Sequence, residues 1–398
     1  MRFRDKITPE GTKDLLFEEC DRRSQATQKL KNLFTMQGYR RIMTPALEYY
    51  DVFARAANYL PLDLMYKLTD DKGRLLVLCP DCTIPAARLT ATRLKDEPRP
   101  LRLYYNHNIY RMEPQLKGKS VEVNQVGVEL IGGETLRSDM EVVQLGADCM
   151  EAIAGDKYRL ELCHIGYFKA IIESLEVEEE IKEKIRSYIE QKNYAALTSI
   201  LEPYKEYRAA RALLKLPRLF GGAEVINKAY RLFDENGAGE SLDYLKKVYE
   251  YLQSLGLGDK VILDLGLVNL ADYYTGIIFR GYFTGIGEQV LSGGRYDNLL
   301  GDFGEDSPSV GFGINVDLAS RKIKEVSSDK TQILVFAETT DYSAKASAHR
   351  KELNRQGIIA SNSVLGTKEE VIAYAKAAGI PQIHMVGEEI SIWRAEEI

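Results

Sequence analysis

The sequence predicts an α+β protein in two domains. The larger, at about residues 1–323, is built on antiparallel strands and interrupted by a helical insertion; the smaller, at 330–398, is an α/β domain. Three observations lead there. From Leu103 to Met112 and from Glu122 to Ile131 the chain reads as two strands joined by a polar loop. In the second, Val126, Val128 and Leu130 alternate with Gln125, Gly127 and Glu129, the period of a strand with one apolar and one polar face. From about residue 165 to 255 the pattern turns helical and charge-rich. The polar run KEVSSDKT at 324–331 then sets off a last stretch in which strand and helix patterns alternate.

Taken in order, the first helix is expected over about Asp21–Gln37. Leu30, Leu33, Phe34 and Gln37 keep helical spacing there, and Gly38 suits the residue just past a helix end. In MYKLTDDKGRLLVLCPDCTIPAARL, two strands flank an Asp-Lys-Gly turn and a helix follows Cys82. The insertion contains EVEEEIKEKIRSYIEQ, whose Ile181, Ile185 and Ile189 make an apolar stripe on a solvated helix. A packed satellite subdomain is expected there, ahead of a partner-binding surface. KVILDLGLVNL, YTGIIFRGYFTG and EQVLSGG return to strands. Gly285, Gly287, Gly293 and Gly294 lack the following Gly-Lys-Ser/Thr of a phosphate loop, so they read as turns and close backbone approaches. In the C-terminal domain QILVFA is a strand, and Ala344–Gln356 a helix ended by Gly357. Thr367 and Glu370 form a capping box for a helix ending near Gly379, and QIHMV and ISIW are strands.

Composition narrows the function. With 398 residues, 45% hydrophobic and 28% charged, the chain has a globular makeup and length for more than one core. No apolar run reaches the ~18–20 residues of a membrane span. MRFRDKITPEG lacks the apolar core of a secretory signal. Five cysteines without a pairing pattern suit a reducing cytoplasm. A net charge of −6 offers no electrostatic footprint for a polyanion, which leans against a tRNA partner.

Two constellations carry chemistry. Arg111 and Glu113 end the first strand of the hairpin and Gln125 and Glu129 lie in the second, so four polar groups converge on one sheet face, as a small charged ligand requires. A merely solvated hairpin face is the competing reading. The second is CPDC at 79–82, which stands between strand and helix like a thioredoxin-type redox site, where a helix N-terminus lowers thiol pKa. Nothing else in the chain supports that domain, and a zinc site needs two more ligands than the motif offers.

The hairpin residues YRMEPQ and NQVGVELIGG resemble motif 2 of the class II aminoacyl-tRNA synthetases, specifically of histidyl-tRNA synthetase. Pro45, in RRIMTPALEYYDVFAR, stands where motif 1 has its dimer-interface proline. VNLADYYTG resembles the histidine-specific motif, and GGRYDNLL with SVGFGINVDL resembles the approach to motif 3 and motif 3 itself. PEGTKDLL is similar to the segment that opens that fold. The resemblance covers roughly residues 5–320. It implies a mixed, mainly antiparallel sheet flanked by helices, a helical insertion between motifs 2 and 3, and a dimer interface with a long strand at Pro45. The C-terminal domain resembles a shortened anticodon-binding domain.

A histidine pocket is implied as well. CPDCT occupies the place of the family's Arg-Pro-Glu-Gly-Thr, so Asp81 and Thr83 take over the acid and the threonine that hold the amino group, with Gln125 as a helper; Cys79 replaces the arginine. Glu129 and Tyr274 are implied at the imidazole, Arg111 at the carboxylate and Tyr273 in the wall. Adenylation, by contrast, needs cations against the phosphates of ATP. Of four arginines in the family pattern Arg111 is kept, while Val121, Asn269 and Leu318 replace the others. A chain that keeps the amino-acid pocket and loses ATP chemistry resembles the regulatory subunits of ATP phosphoribosyltransferase, which are paralogues of histidyl-tRNA synthetase. This implies a non-catalytic subunit with no cofactor and no metal. Such a subunit activates the short catalytic subunit in the first step of histidine biosynthesis and carries feedback inhibition by histidine. The implied partners are that catalytic subunit, a second copy of the chain and histidine, with neither tRNA nor membrane. A working histidyl-tRNA synthetase is the alternative, and the missing arginines speak against it.

Overall fold

The computed structural model describes residues 6–55, 62–112, 120–268, 274–324 and 330–394. The chain divides into two compact units, Met1–Glu325 and Val326–Ile398.

In the first unit, α1 (Glu18–Met36) buries Ala26, Leu30 and Phe34 and ends before Gly38, whose φ of +81° is readily adopted by glycine. β1 (Arg40–Arg41), β2 (Leu47–Tyr49) and α2 (Tyr50–Arg55) follow. β3 (Lys67–Thr69) and β4 (Leu75–Leu78) flank a turn in which Asp70 accepts from the backbone N–H of Lys72 and Arg74 at 2.9 and 2.8 Å. After Cys82 come α3 (Thr83–Arg93) and a long hairpin, β5 (Leu101–Tyr110) with β6 (Glu122–Ile131), in register from Leu101↔Ile131 to Tyr110↔Glu122. The chain continues through α4 (Thr135–Ala154) and β7 (Tyr158–His164).

The insertion contains α5 (Ile165–Glu173), α6 (Glu179–Glu190), α7 (Tyr194–Leu201), α8 (Arg208–Lys215), β8 (Phe220–Gly221), α9 (Glu224–Leu232) and α10 (Ala238–Ser254). Ile185 and Ile189 are buried and Ile181 packs beside them, as the stripe predicts. The insertion is not a satellite, however: its apolar residues join the sheet's in one continuous core. β9 (Val261–Asp264), β10 (Ile277–Phe283), β11 (Leu291–Arg295), β12 (Ser309–Asn315) and α11 (Val316–Ser320) close the unit.

These strands form a nine-stranded sheet in the order β1-β5-β6-β12-β11-β10-β7-β9-β8, and β2-β4-β3 form a small second sheet. In the large sheet, among the described residues, only β1/β5 and β7/β9 run parallel, so it is mixed and mainly antiparallel, as expected. The long strand implied at Pro45 is absent: β1 and β2 are short and belong to different sheets on either side of the proline. A proline offers no N–H to a ladder, which favours such a break. Val126, Val128 and Leu130 turn to the core beneath α1 and α11, leaving Gln125, Gly127 and Glu129 on the other face.

The second unit comprises β13 (Ile333–Ala337), α12 (Ser343–Arg355), β14 (Ala360–Asn362), α13 (Lys368–Ala378), β15 (Gln382–Val386) and β16 (Ile390–Arg394). Its sheet runs β14-β13-β15-β16, with β16 antiparallel to β15. Thr367 and Glu370 form the expected capping box, and Gly357 and Gly379 take positive φ past their helices. β14 was not anticipated; three residues are too few for alternation to register.

Candidate functional site

Glu129 lies on the face of β6 opposite Val128 and Leu130, paired across the sheet with Leu103 on β5 and Gly311 on β12. Four glycines leave the floor around it bare. A Cβ on Gly311 would collide with the Glu129 carboxylate, and one on Gly127 with the Tyr105 hydroxyl. A Cβ on Gly313 would come within 2.6 Å of Gln125 Cδ, and one on Gly294 within 2.6 Å of Tyr274 Cε1. Each glycine thus makes room for a polar or aromatic side chain lying flat on the sheet. The Tyr105 hydroxyl donates to Gln125 Oε1 at 3.1 Å, fixing the amide.

The Glu129 side chain is 1% exposed. Tyr296 donates its hydroxyl to Oε2, whereas among the described residues no hydrogen bond of good geometry reaches the buried Oε1. Burial pushes the carboxyl up to about 8, against the pull of the Tyr296 and Thr83 hydroxyls and with a further push from Asp81. At neutral pH this acid is therefore mostly protonated. Tyr296 is set at the end of β11 by its N–H bond to Ser309 O, 2.7 Å, and by the buried ion pair of Arg295 with Asp139, 2.6 Å. Tyr244 adds a hydroxyl bond to Asp139 at 2.7 Å, so α4 and α10 both brace the strand end.

The second wall is the start of α3. Asp81 Oδ1 accepts from the N–H groups of Thr83 and Ile84 at 2.8 and 3.0 Å, satisfying two amides of the first turn. Its other oxygen faces Arg111 Nη2 at 3.3 Å, and Arg111 Nε donates to Pro80 O at 2.7 Å. Cys79 and Cys82 are buried, and the Cys79 thiol donates to Asp81 O at 2.9 Å. The hydrogen bond with Cys79, together with burial, pushes the Cys82 thiol well up, with Asp81 and Glu129 adding to it. Here burial and negative neighbours outweigh the helix N-terminus, the opposite of a reactive thiol. Among the described residues no three His, Cys, Asp or Glu side chains converge as a metal ion needs.

The structure thus brings Asp81, Thr83, Arg111, Gln125, Glu129 and Tyr274 to one face. Tyr273, Glu113 and Asn269 lie outside the described residues. Val121 is buried, its side chain against Gly11 and its N–H on Gly11 O at 2.9 Å. Leu318 is 4% exposed in the main core. Neither position presents a cation to a phosphate. Sequence reasoning missed Tyr296, Tyr105 and, apart from the close approach expected at Gly294, the glycine floor. The alternating glycines of SVGFGIN, at the period of a strand, were the signal that could have found the floor. A buried acid with an open oxygen, a carboxylate–guanidinium pair and fixed hydroxyl and amide groups together suit a zwitterion whose side chain brings a polar ring.

Comparisons with known proteins converge. The family model described as histidyl-tRNA synthetase matches residues 11–318. The ATP phosphoribosyltransferase regulatory subunit of Clostridium kluyveri is 40% identical over 377 residues, 93% of this chain and 96% of that protein. The protein of the same name from Bacillus mycoides is 40% identical over 80% of this chain and 76% of its own. Among solved structures, an ATP phosphoribosyltransferase regulatory subunit/histidyl-tRNA synthetase from Bacillus halodurans superposes with a TM-score of 0.82 at 30% identity, covering 93% and 96% of the two chains. The histidyl-tRNA synthetase of a Nostoc species shares the fold, with a TM-score of 0.75 at 21% identity over 99% of this chain and 95% of its own.

Proposed function

The chain belongs to the family of ATP phosphoribosyltransferase regulatory subunits, built on the histidyl-tRNA synthetase fold, and from that premise we propose that it senses histidine in the Glu129 pocket and transmits the binding to a separate, short catalytic subunit. As a regulatory subunit it is not the catalytic chain of that enzyme.

One observation carries the histidine reading: among the described residues the buried Glu129 keeps an unpartnered oxygen beside an Asp81–Arg111 pair. An α-amino acid carries a cation and an anion on neighbouring atoms. It can insert into that pair, its ammonium going to Asp81 and Thr83 and its carboxylate to Arg111. The side-chain ring then reaches Glu129, with Tyr274 over Gly294 and Gln125 held by Tyr105 closing the sides. Charge-assisted bonds of this kind contribute on the order of 1.5–3 kcal/mol each.

The coupling is thermodynamic. Histidine must bind the active and the inhibited assembly with different affinities, and the catalytic subunit must feel that difference. We read the small sheet as the meeting surface of two copies. The β2–β4 and β3–β4 register puts Leu47, Tyr49 and Leu68 on one side with Leu76 and Leu78, and the first three are exposed. tRNA is not among the expected partners, and among the described residues no helix is long and apolar enough to cross a membrane.

Reconstitution tests the reading. Purified short catalytic subunit should gain ATP phosphoribosyltransferase activity when this chain is added, and histidine should suppress the gain. Activity indifferent to this chain, or an assembled enzyme indifferent to histidine, would refute it. The alternative of a working synthetase is disfavoured by Val121 and Leu318, both buried where the family pattern has arginines.

A further inference from the structure

Glu129 is the deepest acid on the face, and among the described residues the groups turned toward it are few. Asp81, Cys82 and Thr83 approach from the start of α3, and Tyr296 from the end of β11. Gln125 and Tyr105 lie along the sheet beside it, and Tyr274 covers Gly294 next to Gly311. None of these is a cation. Arg111, on the same wall as Asp81, is turned to Asp81 and to Pro80 O.

We propose, resting on the histidine reading above, that the pocket takes histidine as an imidazolium: the proton of the Glu129 carboxyl passes to the ring as the ligand seats, leaving a carboxylate–imidazolium pair. The O–H bond of the carboxyl breaks, its electron pair stays on oxygen, and an N–H bond forms on the ring nitrogen. No proton enters or leaves the complex.

Two features favour this placement over a neutral acid beside a neutral ring. The Tyr296 and Thr83 hydroxyls both favour the ionised carboxyl, so most of an anion site is already built. Among the described residues its missing component is a cation, and Oε1, unpartnered there, is where one would sit. Asp81 nearby adds a second negative field that favours a positive ring. Burial holds the proton on Glu129 only while that cation is missing.

A ring of similar shape but far lower basicity should fail the pocket. 1,2,4-Triazolylalanine is expected to bind roughly 100-fold more weakly than histidine, because it leaves the acid without a cation. A pH profile of binding counts the proton without placing it, so the ring nitrogens must be observed directly.

The deciding experiment is nitrogen NMR of ring-labelled histidine bound to the full chain at about pH 7.5, where free histidine is mostly neutral. The expected result is two protonated ring nitrogens in the bound ligand, and in Glu129→Gln, which keeps the shape but cannot give up a proton, a bound ring that stays neutral. A neutral ring bound to the wild-type chain overturns the proton transfer and leaves the histidine reading standing. Absence of any bound signal overturns both.

Discussion

Gly311 and Glu129 face each other across β12 and β6, and the Glu129 carboxylate fills the space that a side chain at residue 311 would need. Gly311→Ala should therefore drive the acid off the sheet. Overpacking of this kind costs about 1–3 kcal/mol. The expected outcome is a lower melting temperature together with histidine binding weakened at least about 10-fold, read by differential scanning fluorimetry and calorimetry. Unchanged binding would mean that the carboxylate position does not matter to the ligand.

Glu129 also sets a pH dependence of stability. Its folded value, about 8, lies above the ordinary 4.5, so the folded chain holds a proton that the unfolded chain gives up. Stability is fully present below about 4.5 and is lost as pH rises toward 8. Glu129→Gln has no such loss. Chemical denaturation across this window should show the variant gaining on the wild type as pH rises; parallel curves would show that the acid ionises freely in place.

Arg295 and Asp139 form a buried pair, 3% and 0% exposed, that braces the strand end carrying Tyr296. Asp139→Asn leaves the guanidinium facing an amide. Removing one charge from such a pair typically costs about 3–5 kcal/mol. Urea unfolding is expected to report a loss of that order, and a loss below about 1 kcal/mol would show that the other partners of Arg295, Asp297 at 2.8 Å and Thr135 O at 3.0 Å, suffice.

Histidine-dependent ATP–pyrophosphate exchange should stay at background. Val121 is packed on Gly11 and Leu318 is in the core, so neither offers the preorganised cation that adenylation needs. Robust exchange with magnesium and ATP present would return the chain to the synthetases.

The small sheet makes a separate prediction. Light scattering should find a dimer at micromolar concentration, and Leu68→Glu, on the exposed face with Leu47 and Tyr49, should give monomers. A wild-type monomer would contradict the proposed interface.

Much of this was legible in the residues. The alternation of Val126, Val128 and Leu130 with Gln125, Gly127 and Glu129 pointed to β6, because successive residues of a strand turn to opposite faces, and Thr367 with Glu370 located α13 through its cap. What stayed hidden was long-range. Tyr296 reaches Glu129 across 167 positions of sequence, and no local pattern announces a hydroxyl that far away. The pairing of Arg111 with Asp81 was equally unreadable, since each was assigned to a different end of the ligand. The long strand implied at Pro45 is replaced by two short ones on either side of it, in different sheets.

The central claim is that histidine is sensed in this pocket, and calorimetry of the isolated chain tests it most directly. Histidine should bind the wild-type chain saturably, and Glu129→Ala should weaken that binding roughly 10- to 100-fold, the loss of one buried charge-assisted contact. Equal affinities for the two chains, or no binding without the catalytic partner, would contradict the account and move the feedback site elsewhere.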